Sequence, residues 1–152
     1  MHAAGETDFT AFFDANEPRL RRAFMAAYGF ETGRDATAEA LAWAWEHRDE
    51  LDTIEHPVAY LFRVGQTRIR RRKLRVVHAR NEWAEPWVEP ALSAALRSLS
   101  RNQRVAVVLV HGYAWTMAEV GELLGVKVTT VQNHLERGLA RLRARLEVGS
   151  DE

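Results

Sequence analysis

At 152 residues, with no cysteine and a formal net charge of zero, the chain has room for one compact domain or two very small ones. It can hold no disulfide, thiolate metal site or cysteine nucleophile. Apolar residues make up 47%, the share of a folded protein rather than a disordered one. No apolar run is long enough to span a bilayer, and 1–9 lacks the apolar centre of a signal peptide, so a soluble cytoplasmic protein is expected.

The neutral sum hides a segregated distribution. Between Glu31 and Glu55 stand eight acidic residues against Arg34 and Arg48; between Arg63 and Arg80 stand eight basic residues and no acidic one. Between Val126 and Arg145 five basic residues face only Glu136. Two basic faces and one acidic face share a neutral chain, and for nucleic-acid binding the distribution matters more than the sum.

Ala, Leu, Arg and Glu dominate and alternating β-branched runs are nearly absent, so the chain reads as all-α. Phe9 to Phe13 predicts a turn or two. Asn16 then caps a helix with Pro18 near its start, Leu20, Phe24 and Ala27 facing inward and Gly29 at its end. Asp35 caps the next helix, which runs to about Arg48 and buries Leu41, Ala44 and Trp45. Pro57 opens a third, carrying Leu61, Val64 and Ile69 inward and the arginines at 68, 70, 71 and 72 around the rest. The period is lost over 76–90, where Pro86 and Pro90 stop helices; Trp83 and Trp87 in this linker either pin it to a surface or cover a core edge. Leu92, Leu96 and Leu99 then begin a second helical domain. Arg101 to His111 continues it around Val105, Val108 and Leu109, until Gly112 breaks the run.

The last third is the most specific. Thr116 to Glu119 is a capping box, in which each residue's side chain serves the other's backbone amide. Val120, Leu123 and Leu124 bury that helix, and Gly121 lets a second helix approach. Gly125 supplies the left-handed residue at which the chain reverses. Val126 to Val128 makes the turn. Val131, Leu135, Leu139, Leu142 and Leu146 form the inner stripe of a final helix. This is a helix-turn-helix, and its register leaves Thr130, Gln132, Asn133, Glu136 and Arg137 outward or flanking, with Lys127 in the turn. Amides and arginine are the side chains that pair with base edges in a major groove. An ordinary helical hairpin with a solvated face is the plainer alternative. The six histidines show no metal-ligand spacing, and there is no phosphate-cradling glycine loop or nucleophile elbow. No catalysis, metal or cofactor is expected.

With these motifs in hand, the chain resembles the extracytoplasmic-function sigma factors, small sigma-70-type subunits of RNA polymerase, from Phe9 to Leu146. Residues 91–146, with Gln103-Arg104, Gly112 before an aromatic turn, Leu124-Gly125-Val126 and Thr130-Val131, look like region four. The resemblance implies that Lys127, Thr130, Gln132, Asn133, Glu136 and Arg137 meet the upstream promoter element as duplex. GRDATAEALAWAWEH (33–47) is similar to the polymerase-docking helix of region two, with Asp35, Glu39, Leu41 and Trp45 at matching positions. PVAYLFRVGQTRIRRRKLR (57–75) is similar to the segment that opens and reads the downstream element. By position, Tyr60, Arg63, Gln66, Thr67 and Arg70 would hold the melted strand, an aromatic-plus-cation arrangement suited to single strands. The family's usual glutamine is Ala38 here, its arginine-asparagine pair is Gln66-Thr67, and its acidic residue in the next turn is Arg71.

The expectation is therefore a region-two-like domain at 7–75, a linker at 76–90 and a region-four-like helix-turn-helix at 91–148. Its partners would be core RNA polymerase and promoter DNA, without a membrane; an anti-sigma factor remains open. Two other readings stay beside it: a stand-alone sigma-like regulator that never starts transcription, and an interaction protein that uses both domains, with an exposed Trp43, for docking.

Overall fold

The structure, a computed structural model, describes residues 2–73 and 90–150. The linker assigned from sequence, with Trp83, Pro86 and Trp87, lies outside the described residues except for Pro90. Among the described residues there is no strand, and no helix is long and apolar enough to cross a membrane.

α1 runs unbroken from His2 to Tyr28. The separate start expected at Asn16 is absent: Pro18 lies inside the helix, and the Asn16 amide donates to the Phe12 carbonyl one turn back, at 2.9 Å, instead of capping. Proline removes one rung of the ladder and disfavours a helix interior. Here Leu20, Ala23 and Phe24 are fully buried just beyond it, and tertiary packing outweighs the local penalty. Gly29, at φ 85°, ends α1 as expected, and α2 begins at once, Phe30–Glu46. Asp35 is therefore exposed inside α2, not a cap at its start. Leu41 and Ala44 are buried, whereas Trp45 is 38% exposed, its ring edge-on to Phe9 at 4.9 Å and covered by Arg48 at 4.3 Å.

A 3-10 turn, Arg48–Thr53, leads to α3, Pro57–Lys73, which opens at Pro57 as read from sequence. Leu61 and Ile69 are buried and Val64 is half-buried; Arg68, Arg70 and Arg71 are exposed. α1, α2 and α3 pack on one another, with the Phe24 and Phe62 rings 4.9 Å apart at the centre.

In the second half α4 (Pro90–Ser98) is followed by α5 (Arg101–Val107), whose Ser100–Gln103 capping box the sequence reading missed. α5 widens into a π turn, Val108–Gly112. The run ends at Gly112 as expected, and just beyond it Ala114, at φ 59°, takes a left-handed position before the Trp115 amide donates to the Leu109 carbonyl at 2.9 Å. α6 (Met117–Leu124) and α7 (Val128–Ser150) complete the chain, and α4, α5 and α6 all pack on α7. Val131 and Leu135 are buried, Leu139 and Leu142 half-buried, and Leu146, at 37% exposure, lies outside the stripe assigned to it.

The two halves are not held together by a linker alone. α1 lies against α5 and its π turn, α3 lies against α6, and the buried residues of both halves form one contiguous core.

Two glycines in the second half should respond oppositely to substitution. A Cβ on Gly121 would sit 2.8 Å from the Val126 carbonyl oxygen, a backbone atom that cannot swing aside, whereas at Gly112 the nearest atom is 4.0 Å away. Gly121→Val should cost about 1–3 kcal/mol, the usual range for overpacking. Gly112→Ala should be neutral or slightly stabilising, because it narrows the unfolded ensemble. Urea unfolding of the two variants checks both.

Candidate nucleic-acid interface

The geometry of α6, the turn and α7 follows from a few local bonds. Thr116 Oγ1 accepts from the Glu119 amide and Glu119 Oε1 accepts from the Thr116 amide, each at 3.1 Å, which fixes the start of α6. Gly125, at φ 69° and ψ 36°, ends it in the left-handed region, and the Val126 amide closes back on the Gly121 carbonyl at 2.9 Å. The Lys127 carbonyl then accepts from the amides of Thr130 and Val131, at 3.0 and 3.1 Å, which winds the first turn of α7.

With Val131 and Leu135 anchored, the opposite face of α7 is set. Gln132, Asn133, Glu136 and Arg137 are exposed there, Lys127 is exposed in the turn, and Thr130 is half-buried at the edge. The structure thus brings all six residues predicted for duplex reading to one end of the domain. Gln132 Nε2 donates to Glu136 Oε1 at 3.3 Å, so two of these side chains bond each other.

On α3, Tyr60, Arg63, Thr67 and Arg70 are exposed and Gln66 is half-buried. Their spacing of three, four and three places the exposed four along one side of the helix. Thr67 Oγ1 donates to the Arg63 carbonyl at 3.0 Å and so is turned back on its own helix. The Tyr60 ring lies 5.3 Å from that of Trp43, which stacks on His47 at 4.1 Å and 14°. Trp43, expected to be exposed, is half-buried in this row. The partnership with Tyr60 joins two helices and leaves no mark in sequence spacing; only the Trp43–His47 half of it has helical periodicity.

The residues expected to dock on a polymerase all lie on α2. Asp35 and Trp45 are exposed and Glu39 is half-buried, but Leu41 is 8% exposed and belongs to the core. It faces a shallow groove between α1 and α2, alongside Phe13, Thr37 and Ala38.

A set of arginines between the halves was invisible in the sequence. Arg19 of α1 pairs with Glu119 of α6 and lies over the Trp115 ring at 4.4 Å. Arg22 covers Tyr113 at 4.6 Å, and Arg101 covers Tyr28 at 4.6 Å. Arg104 Nε and an Arg104 terminal nitrogen donate to the carbonyls of Ala26 and Ala27, at 3.0 and 2.7 Å. Arg63 donates to the Glu122 carbonyl at 3.4 Å, and His56 Nδ1 lies 2.9 Å from Glu122 Oε1.

Residues 90–142 match the family described as "Sigma-70, region 4". The chain is similar in structure to the sigma factor RpoE solved in complex with the anti-sigma factor NepR from Bartonella quintana: TM-score 0.68 at 20% identity, over 93% of this chain and 98% of that one. It is also similar to CnrH, solved in complex with the cytosolic domain of CnrY: TM-score 0.67 at 24% identity, over 94% of this chain and 90% of that one. No curated protein sequence matches it. The helix-turn-helix of the second half thus lies within the segment similar to region 4, and the fold of nearly the whole chain is similar to that of the two solved sigma factors.

The amide of Thr116, then Arg19, hold the Glu119 carboxyl below the usual carboxylate range. A group with a depressed folded pKa stabilises fully above its unfolded value and ceases to do so as the pH falls through its folded value. Acid unfolding should therefore draw in part on Glu119. Glu119→Gln should lose stability at neutral pH, with the difference from the native chain shrinking as the pH falls through and below the ordinary carboxylate range, as read by thermal melts across acid pH.

Proposed function

We propose that the protein is a sigma factor that binds core RNA polymerase and directs promoter-specific initiation. The observation that carries this is the solvent-facing set Gln132, Asn133, Glu136 and Arg137 on the second helix of a region 4 helix-turn-helix. In this reading α7 enters the major groove of the upstream element. Lys127 and Thr130 meet the backbone, and the two amides with Arg137 meet base edges. The side of α3 bearing Tyr60, Arg63, Thr67 and Arg70, with Gln66 beside it, takes the melted downstream strand by stacking and charge. The exposed carboxylate of Asp35, with Glu39 and Trp45 on the same helix, meets the polymerase; Leu41 contributes by holding that helix in place. The solved RpoE relative was crystallised with an anti-sigma factor, which supports a protein inhibitor of the same kind for this chain.

Two modest cationic surfaces bind weakly one at a time, and a polymerase that engages both raises their effective concentration. Run-off transcription with core polymerase on a responsive promoter tests the assignment: a promoter-dependent product is expected, and duplex binding without any product would instead mark a stand-alone regulator. Arg137→Ala should lower selectivity for the upstream element by about 1–3 kcal/mol, roughly five- to a hundred-and-fiftyfold in competition gel shifts.

A further inference from the structure

Val128 is the most exposed large apolar side chain among the described residues, at 47%. It is the first residue of α7, directly after the turn. Its register is that of Leu135, two turns on, which is buried. One face of α7 is therefore apolar and covered at Leu135, but apolar and open where the helix begins. A single apolar residue at a surface is ordinary; the setting of this one is informative. Its neighbours Lys127, Thr129 and Gln132 are all exposed, and they are a cation, a hydroxyl and an amide. Val128 thus extends no apolar patch of the kind that proteins bury against one another. It is a pair of methyl groups set among side chains that suit nucleic acid.

A recognition helix enters the major groove with its N-terminal residues, and in α7 the first of these is Val128. Residues four apart stand one turn above another, so Val128, Gln132 and Glu136 form a row along the helix. The Gln132–Glu136 bond ties the upper two together, and the apolar group lies at the leading end. In the groove an A·T pair offers adenine N6 and N7 to an amide, and offers the 5-methyl group of thymine to apolar contact. Cytosine carries an amino group and no methyl, and both purines present polar atoms. We infer that Val128 is a specificity-determining residue that packs on the 5-methyl group of a thymine beside the base edge met by Gln132. The inference rests on the duplex-reading role proposed above for α7, and adds to it the identity of one base.

The contact is tested by removing that methyl alone. Each thymidine of the upstream element is replaced in turn by deoxyuridine, and competition gel shifts are run with the full chain, with and without core polymerase. At one position the native chain should lose affinity about fourfold, the worth of one buried methyl-sized group. Val128→Ala should bind the thymine and uracil duplexes alike at that position. Val128→Thr, which keeps the shape but exchanges one methyl for a hydroxyl, should retain a smaller difference. Both substitutions are at an exposed position, and circular dichroism should show unchanged helix. A flat uracil series in the native chain overturns the contact. So does an undiminished thymine preference in Val128→Ala, which assigns the methyl to another residue. Weaker polymerase binding by Val128→Ala with an unchanged uracil series also overturns it, and makes Val128 a protein contact. A native chain that does not tell the promoter from a shuffled duplex overturns the duplex reading as a whole; one that does, with a flat uracil series, overturns the role of Val128 alone.

Discussion

The halves of this protein each have too little interior to stand comfortably alone, and the structure answers by joining their interiors. Leu20, Phe24, Leu61 and Phe62 on one side and Val105, Leu109, Val120 and Val131 on the other are the largest fully buried side chains, and they belong to one continuous cluster. Small helical units gain most from shared burial because surface outweighs core at their size. Arginines stand at this junction with their guanidinium heads over the rings of Tyr28, Tyr113 and Trp115. Every other positional feature, including the direction in which α3 and α7 present their polar sides, depends on that junction.

What could be read from the sequence was whatever is encoded within one turn of helix. The Thr116–Glu119 box, the reversal at Gly125 and the stripe through Val131 and Leu135 each involve residues three or four apart, and each stands as read. Pro57 and Gly29 set boundaries for the same reason. Failures fall where a distant partner decides. Pro18 reads as a helix start until Leu20 and Phe24 are seen buried beside it. Asp35 reads as a cap until Gly29 takes over the break. Trp45 reads as core until Phe9 and Arg48 cover it at the surface. Leu146 fits the stripe by spacing but extends past the helices that bury its predecessors.

The candidate site divides in the same way. Outward positions on α7 follow from its inner register, so the set proposed to read duplex was legible residue by residue. Trp43 beside Tyr60, and the arginines that bind backbone carbonyls of the other half, depend on contacts between residues up to 78 apart. Nothing in local spacing marks an arginine as one that will cap a foreign helix. Arg104 stood in the sequence only as half of a motif pair, without a partner assigned to it.

The π turn at Val108–Gly112 carries a consequence for how this architecture tolerates change. A π turn holds one residue more than the α turn it replaces. Deleting a residue there would let the helix close normally, and because each α-helical residue advances by about 100°, everything downstream would swing by more than a quarter of a revolution. Trp115 would leave its place under Arg19, and α6 with α7 would point elsewhere. A single codon in that segment thus sets the aim of α6 and α7 together, although no side chain within it belongs to the surface proposed to meet DNA.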